Sequence, residues 1–543
     1  MNKQISNKLA AALAFSFIAA SFTGCGSNSN ENAPEYSNNS KNDAVSYAES
    51  AVMDSTENYD SEFGGDYRIP DSPSYNEEYA GYQEGKFYDP QVTPLSTFSV
   101  DVDTASYSNV RRLIEDNMSV PEDAVRVEEF INYFDYNYPD PDDDSAFSQY
   151  VEIGDCPWNS AHKLIMVGIQ GKRMEKEELP PSNIVFLIDS SGSMNSYDKL
   201  PLVQSAFSML AEKLTENDRI SIVTYAGSSK TLLKGAKGSD KDEILKQLYS
   251  ITASGGTNGE GGIETAYELA EKYFIKDGNN RVILATDGDL NIGRSTSDEL
   301  VELIEQKRDN GICLSVLGFG TGNYKDARME ALADNGNGNF SYIDSVDEAR
   351  RVLVQEMSGT LFTIAKDVKV QVEFNPAQIS NYRLIGYDNR LMDARDFYDN
   401  TKDAGEIGAG HSVTALYEVE LNDNSSFQGV PLEFAEEHSE PATDKPVRTE
   451  LCKLSVTYKD IDTNEDKYLS QLFGMEKYDQ TPSDDLKLAS AVTEFAMLLK
   501  NSDYKSDSSY DSVLRTVKEL TKNGDEKVNE LYTLVNAARN MYR

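Results

Sequence analysis

Three oxygen-bearing side chains follow one apolar segment of this chain at alternate positions. Residues Ile184–Met194 read IVFLIDSSGSM, so an almost unbroken apolar run ends at Asp189 and is followed by Ser191 and Ser193. An apolar run that ends at a turn predicts a strand buried on both faces, as in a parallel sheet. Ligands of open α/β sheets bind beyond the carboxyl ends of the strands. The carboxylate and the two hydroxyls are therefore candidates to contact a ligand.

Two further stretches carry polar groups to the same predicted edge. Gly255–Gly259 (GGTNG) form a loop that leads into a helical pattern, and Val282–Gly288 (VILATDG) read as a second buried strand that ends in a carboxylate and a glycine. The carboxyl ends of parallel strands lie at one edge of a sheet, so we expect Asp189 and Asp287 to share that edge.

The D-x-S-x-S spacing of the first loop, together with these two stretches, resembles the metal-ion-dependent adhesion site of von Willebrand factor type A domains. The resemblance covers residues 182–365 and implies five metal ligands: Asp189, Ser191, Ser193, Thr257 and Asp287. It implies Mg²⁺ as the cofactor, with Mn²⁺ or Ca²⁺ as substitutes. Two carboxylates and three hydroxyls supply the hard oxygens that Mg²⁺ prefers. Such an ion keeps a position at which a partner's Asp or Glu could replace a water.

The elements that must position these residues alternate between strands and helices. Apolar strands are predicted at 184–189, 219–225, 281–286, 312–319 and 339–343, with a short antiparallel edge strand at 231–233. Helical patterns lie at about 198–215, 240–251, 260–275, 297–309, 324–334 and 346–365. This alternation predicts an α/β fold, a doubly wound and mostly parallel sheet with helices on both faces.

The flanks of this region have a different character. Before it we expect a strand near Phe98, helices at 106–117 and 125–134, and two strands within 149–170. After it, strands are predicted at 368–374, 382–386, 412–421, 451–458 and 467–472, followed by helices at 483–500 and 509–541 with Ser483 as an N-cap. The segments TFSVDVDTASYSNVRR and GHSVTALYEVEL are similar to a bacterial subfamily of lipoproteins that carry a type A domain.

The amino terminus has the features of an export signal. Lys3 and Lys8 precede an apolar stretch, Leu9–Phe22, that is too short for an ordinary membrane span. The following Thr-Gly-Cys resembles a bacterial lipoprotein signal, with Cys25 as the lipidated residue; a plain secretory peptide is the alternative. We therefore expect an exported, extracytoplasmic protein anchored by lipid to the cell membrane or outer membrane.

The chain thus divides into six predicted segments. They are a signal peptide (1–25), a disordered tether (26–95), an α+β associated segment (96–181), a von Willebrand type A domain (182–365), a β-rich module (366–480) and C-terminal helices (481–543). The tether is assigned from its polar composition and its lack of sustained periodicity.

The charge and the cysteine content of the chain argue against several kinds of partner and metal site. Lys and Arg number 51 against 92 Asp and Glu, a formal net charge of −41, which argues against nucleic acid or anionic lipid as a partner. The membrane is then contacted through the lipid anchor only. Cys156, Cys313 and Cys452 remain after processing, an odd count without C-x-x-C spacing, so neither a disulfide framework nor a thiolate zinc site is predicted. A bridge between Cys156 and Cys452 stays open.

Other motifs give little support for catalysis. Gly318–Gly322 lack the G-K-[ST] of a phosphate-binding loop, and Asp460–Asp466 depart from an EF-hand loop. The histidines, His162, His411 and His438, are not near a recognisable nucleophile elbow. We predict a binding protein, not an enzyme, that engages a protein carboxylate through Mg²⁺. The alternatives are a metal-assisted hydrolase that uses the two aspartates and an accessory subunit of an envelope assembly.

Overall fold

The computed structural model describes residues 77–542 except 101–102, 143–144, 175–178, 257–258, 289–296, 323, 357–361, 400–401, 403, 423–449, 462 and 464. Cys25 and Thr257 lie outside the described residues. The last part of the predicted tether packs on the folded chain, because the Tyr88 amide donates to the Tyr382 carbonyl at 2.8 Å and the Tyr88 ring lies against the Tyr382 ring. Packing of Tyr88 against Tyr382 thus orders the end of a segment whose polar composition predicts disorder.

One six-stranded sheet forms the centre of the predicted type A region. Its strands are β4 (Ser182–Asp189), β5 (Arg219–Tyr225), β6 (Ser229–Lys237), β7 (Asn279–Thr286), β8 (Cys313–Phe319) and β9 (Phe340–Ile343). The order is β6-β5-β4-β7-β8-β9, and every pairing is parallel except that of β6 with β5. The predicted α/β fold is confirmed.

Helices cover both faces of this sheet. They are α3 (Leu200–Lys213), α4 (Lys241–Tyr249), α5 (Glu260–Lys272), α6 (Ser297–Asp309), α7 (Asp326–Asn335) and α8 (Val346–Arg350). Every residue of β4 is buried, with Ile184, Phe186 and Ile188 in one core and Val185 and Leu187 in the other. The chain continues from β4 to β5 on one side and later adds β7 on the other, so strand order reverses at the carboxyl end of β4, where doubly wound folds bind ligands.

The remaining strands form two antiparallel sheets that share one apolar core. Before the central region lie β1 (Leu95–Ser99), β2 (Phe147–Asp155) and β3 (Lys163–Gly171). After it lie β10 (Thr363–Phe374), β11 (Ile379–Ile385), β12 (Leu391–Met392), β13 (Ile407–Gly408), β14 (Ser412–Leu421), β15 (Glu450–Asp460) and β16 (Asp466–Gly474). The orders are β12-β1-β10-β15-β16, with β13 on β10, and β11-β14-β3-β2. Strands from both flanks of the type A region therefore belong to the same sheets.

Five helices build a separate core against the second of these sheets. They are α1 (Ala105–Glu115), α2 (Val127–Asn132), α9 (Asp484–Leu499), α10 (Tyr510–Leu520) and α11 (Glu526–Met541). The predicted N-cap is confirmed, because the Ser483 side chain accepts a hydrogen bond from the Leu486 amide at 3.1 Å. Within the part of the chain that the structure describes, no helix has the length and apolar character needed to cross a bilayer.

Two predicted helices differ from the structure. The pattern at 346–365 ends as a helix at Gln355, and the chain is already a strand from Thr363, where pairing with β15 and β13 outweighs the helical spacing. The pattern at 509–541 is two helices, because Gly524 adopts a left-handed backbone (φ 82°) and the Asp525 side chain caps α11.

Candidate metal centre

The Asp189 carboxylate lies at the carboxyl end of β4 and is fully buried. Its Oδ1 accepts a hydrogen bond from the Ser191 amide at 2.8 Å, which closes the turn after the strand. Its Oδ2 is buried and makes no hydrogen bond of ordinary geometry among the described residues, although the buried Tyr225 hydroxyl lies near enough to the carboxylate to lower its pKa. A buried, unsatisfied carboxylate oxygen is costly unless a cation or a donor meets it.

Burial raises the pKa of Asp189 to about 6, and the negative charge of Asp287 adds to the increase. The amide and hydroxyl of Ser191 and the hydroxyl of Tyr225 act in the opposite direction and lower this pKa. The two aspartates are therefore near enough to interact electrostatically, as their positions at neighbouring strand ends require. A divalent cation between them would relieve both the repulsion and the desolvation.

The hydroxyls of Ser191 and Ser193 lie side by side, with their Oγ atoms 2.9 Å apart. Backbone hydrogen bonds join this loop to the one before Thr257: the Gly192 amide donates to the Gly255 carbonyl at 3.0 Å, and the Ser254 amide donates to the Ser190 carbonyl at 2.8 Å. Gly255 has φ +85°, a conformation that favours glycine. The segment that leads into Thr257 is thus held against the Asp189 loop.

Asp287 follows β7 and is buried, and its carboxylate is paired with a residue that the sequence analysis missed. The Lys199 ammonium lies 2.9 Å from Asp287 Oδ2, and both side chains are almost completely buried. The aliphatic part of Lys199 crosses the loop after β8 so closely that a Cβ on Gly320 would lie 2.3 Å from its Cγ. A basic residue ten positions after Asp189 was the available signal, but its spacing fits no metal-ligand rule.

The chemistry of these donors fits a hard divalent cation. Asp189 supplies a carboxylate oxygen that makes no hydrogen bond of ordinary geometry among the described residues, and the serine hydroxyls can turn their lone pairs toward an ion beside it. Over the described ranges no group of three or more His, Cys, Asp or Glu side chains could hold a metal. The predicted ligands are a different kind of set, with only two carboxylates and three hydroxyls.

The groups that could have supported other chemistry lie elsewhere. His162 Nδ1 lies 2.6 Å from Glu418 Oε1, and Arg383 pairs with the same carboxylate at 2.9 Å; Glu418 and Arg383 lie on β14 and β11, outside the central sheet. Cys156 and Cys452 are both buried free thiols and belong to different cores. Burial raises the pKa of each of these thiols to about 12, so neither is an activated nucleophile.

Family models match three parts of the chain. The model described as von Willebrand factor type A domain matches residues 183–356, and one described as von Willebrand factor matches residues 73–166. A third, described as Uncharacterized protein YfbK, C-terminal, matches residues 359–541.

Individual proteins and one solved structure are similar to parts of this chain. A bovine (Bos taurus) inter-alpha-trypsin inhibitor heavy chain H4 is 28% identical over 34% of this chain and 21% of its own length. The solved structure of a von Willebrand factor type A protein from Catenulispora acidiphila is 13% identical, with 78% of this chain and 82% of that one covered at a TM-score of 0.37. Uncharacterized protein YfbK of Escherichia coli strain K12 is 42% identical over 77% of this chain and 73% of its own. The chain therefore belongs to the YfbK family of proteins with a von Willebrand factor type A domain.

Proposed function

We propose that this protein is an exported, lipid-anchored binding protein that holds a divalent cation and engages a carboxylate of a protein partner there. The proposed ligands are Asp189, Ser191, Ser193, Thr257 and Asp287, with Mg²⁺ as the expected ion. The observation that carries the proposal is the buried Oδ2 of Asp189, which makes no hydrogen bond of ordinary geometry among the described residues and has only the Tyr225 hydroxyl nearby. Without a cation that oxygen is a net cost to folding.

Each ligand has a distinct part in this proposal. The Ser191 amide fixes Oδ1 of Asp189 and so leaves Oδ2 for the cation. The adjacent hydroxyls of Ser191 and Ser193 add neutral oxygens. Thr257 is assigned by the family resemblance and directly follows the loop that is hydrogen-bonded to Ser190 and Gly192. The bound ion would supply Lewis acidity toward an anionic oxygen of the partner.

Lys199 adjusts the charge of the site. Its ammonium neutralises Asp287 at 2.9 Å, so Asp189 is the one proposed carboxylate ligand whose charge the described ion pairs do not compensate. A divalent cation facing one uncompensated carboxylate keeps a net positive charge, and this attracts the carboxylate of a partner. Neutral hydroxyls at the other positions preserve that charge.

The proposed location rests on the amino-terminal segment, and the proposed kind of partner rests on the overall charge. Lipidation at Cys25 would anchor the protein, and the polar segment that follows would separate the folded region from the membrane. With a formal net charge of −41, the protein repels acidic surfaces, so we expect a partner that presents its Asp or Glu within a basic surface.

The metal site is tested by thermal melting of the full chain in Mg²⁺ and in EDTA. We expect Mg²⁺ to raise the melting temperature of the wild type by about 2–5 °C, since a ligand that binds only the folded state stabilises it. Asp189→Ala should abolish this rise and should melt no lower than wild type in EDTA, because it removes an unsatisfied buried charge. Asp242→Ala, on the exposed surface of α4, is the control and should behave like wild type.

Partner binding is tested by crosslinking pull-down from the envelope fraction. Proteins captured by wild type in Mg²⁺ should be lost in EDTA and with Asp189→Ala, but kept with Asp242→Ala. A wild type that melts identically with and without Mg²⁺ would refute the metal site. Capture that is insensitive to EDTA would refute metal-mediated partner binding even if the metal site is real.

A further inference from the structure

The terminal strand of one antiparallel sheet presents a long open edge. β16 is nine residues long and pairs with β15 on one side, and across the described residues no strand pairs with its other side. Its outward-facing residues, Tyr468 and Leu472, are 43% and 38% exposed. Alternation along a strand places Tyr468, Ser470 and Leu472 on one face, while Leu469 and Phe473 face the core.

This edge lacks the features by which proteins prevent strand pairing. Six consecutive residues, Tyr468–Phe473 (YLSQLF), carry no charge and no proline, and the register with β15 is regular throughout them. By contrast β6, the nine-residue edge strand of the central sheet, carries Lys230, Lys234 and Lys237 and two register shifts. Charges and irregularities of that kind protect an exposed edge, whereas an uncharged, regular edge is a template for another strand.

We propose that two copies of this protein associate by antiparallel pairing of their β16 strands about a two-fold axis at Ser470. In this register Tyr468 of each copy lies opposite Leu472 of the other copy, on the exposed face. The charged residues at the start of the strand meet uncharged ones: Asp466 lies opposite Gly474, and Lys467 lies opposite Phe473. The strand is thus self-complementary, as an isologous interface requires, and no like charges face each other.

The surroundings of the strand extend the same contact. Tyr398 is 58% exposed and its ring centroid lies 6.3 Å from that of Tyr468, so an incoming Leu472 would meet two aromatic rings. Met475, directly after the strand, is 42% exposed and would lie near the start of the partner strand. The pairing therefore covers apolar side chains as well as backbone hydrogen-bonding groups.

The expected association is weak and depends on salt. A single nine-residue strand pair buries less area than a standard interface of about 1,600 Å², so we expect a dissociation constant of about 1–100 µM. Each copy carries a formal charge of −41, and this repulsion opposes dimerisation. Raising the salt concentration from about 0.1 to 0.5 M should therefore strengthen the dimer, because the charges are screened.

Sedimentation velocity of the full chain over about 1–200 µM tests the proposal. Wild type should pass from monomer to dimer in Mg²⁺ and equally in EDTA, which separates this contact from the proposed metal site. Leu472→Lys should weaken association at least tenfold, because it places a charge opposite Tyr468. Leu391→Lys is the matched control: it changes a 49% exposed leucine on β12, the other terminal strand of the same sheet, and should leave association unchanged.

A cysteine introduced at position 470, on the proposed two-fold axis, allows a second and independent measurement. Ser470→Cys should be joined to its counterpart by a short thiol-to-thiol crosslinker, and adding Leu472→Lys should abolish that product. Cys156 and Cys452 are buried but Cys313 is partly exposed, so wild type treated with the same crosslinker is the control for products that do not involve residue 470. A monomer at every concentration, association unaffected by Leu472→Lys, or the absence of a Ser470→Cys crosslink would each overturn the proposal.

Discussion

At the residue scale, the two aspartates at the carboxyl ends of β4 and β7 differ in how their negative charges are compensated. Asp189 has a buried oxygen that no described cationic side chain meets, whereas Asp287 is paired with Lys199. An isolated buried carboxylate is unfavourable, and two of them near each other would be more so. Lys199 therefore lowers the cost of the metal-free state and at the same time opposes a cation that approaches Asp287.

This double role makes Lys199→Met a specific test. We expect the variant to melt at a lower temperature than wild type in EDTA, because Asp287 loses its counter-charge. We also expect it to bind Mg²⁺ about tenfold more tightly, because a positive charge has been removed from the site. Titration of the melting temperature with Mg²⁺ measures both effects. Lys246→Met, at an exposed position on α4, should show neither, and weaker Mg²⁺ binding by Lys199→Met would contradict this role.

At the scale of elements, the C-terminal helices pack around one buried acid. Glu494 lies on α9, where it is 2% exposed, and accepts a hydrogen bond from the Ser512 hydroxyl of α10 at 3.1 Å. Burial raises the pKa of Glu494 to about 7, although the Ser512 hydrogen bond acts against the increase. The folded state therefore retains this proton over a range in which the unfolded chain has released it.

Because the pKa of Glu494 is higher in the folded state than its unfolded value of about 4.5, the folded state binds more protons between these two values. The contribution of this group to stability thus falls as the pH rises from about 4.5 to 7. Glu494→Gln should raise the free energy of unfolding by about 2 kcal/mol at pH 8 and change it little at pH 4. Urea unfolding at both pH values measures this, with the exposed Glu519→Gln as control. An equal effect at both pH values would exclude the proposed protonation.

At the scale of the whole molecule, the flanking segments enclose the type A region. Strands from before and after it share both antiparallel sheets, and a buried ion network joins it to the helices. Arg111 of α1 binds Asp344 after β9 at 2.6 Å, Glu348 of α8 at 3.0 Å and Glu530 of α11 at 3.0 Å. One side chain thus connects an N-terminal helix, the type A region and the last helix of the chain.

Removal of this connection should destabilise the protein as a unit. Arg111→Met leaves Asp344 without its bidentate partner in a buried position, and the expected loss is about 3–5 kcal/mol in the free energy of unfolding. Arg395→Met, which breaks an exposed pair with Asp393, should lower the free energy of unfolding far less, because water screens that pair. Denaturant unfolding of the two variants compares them directly. Similar losses in both would show that the network does not join the parts.

The sequence by itself determined the central strands and the polar loops that follow them. Continuous apolar runs such as Ile184–Ile188 are local patterns, and they predict a buried parallel strand wherever the rest of the chain lies. The end of such a run fixes where Asp189 leaves the sheet, and the same holds for Asp287. The Ser483 N-cap was likewise readable, because capping depends on a few neighbouring residues.

Only the tertiary structure decided which distant groups meet. The pairing of Lys199 with Asp287, the sharing of sheets by β1, β3, β10 and β14, and the open edge of β16 depend on contacts between residues far apart in the chain. Strand and helix periodicity carries no information about such partners, because it records which face of an element is buried and not what covers it. The same limit explains why the helical pattern at 346–365 ended early: strand pairing, a long-range contact, outweighed local spacing.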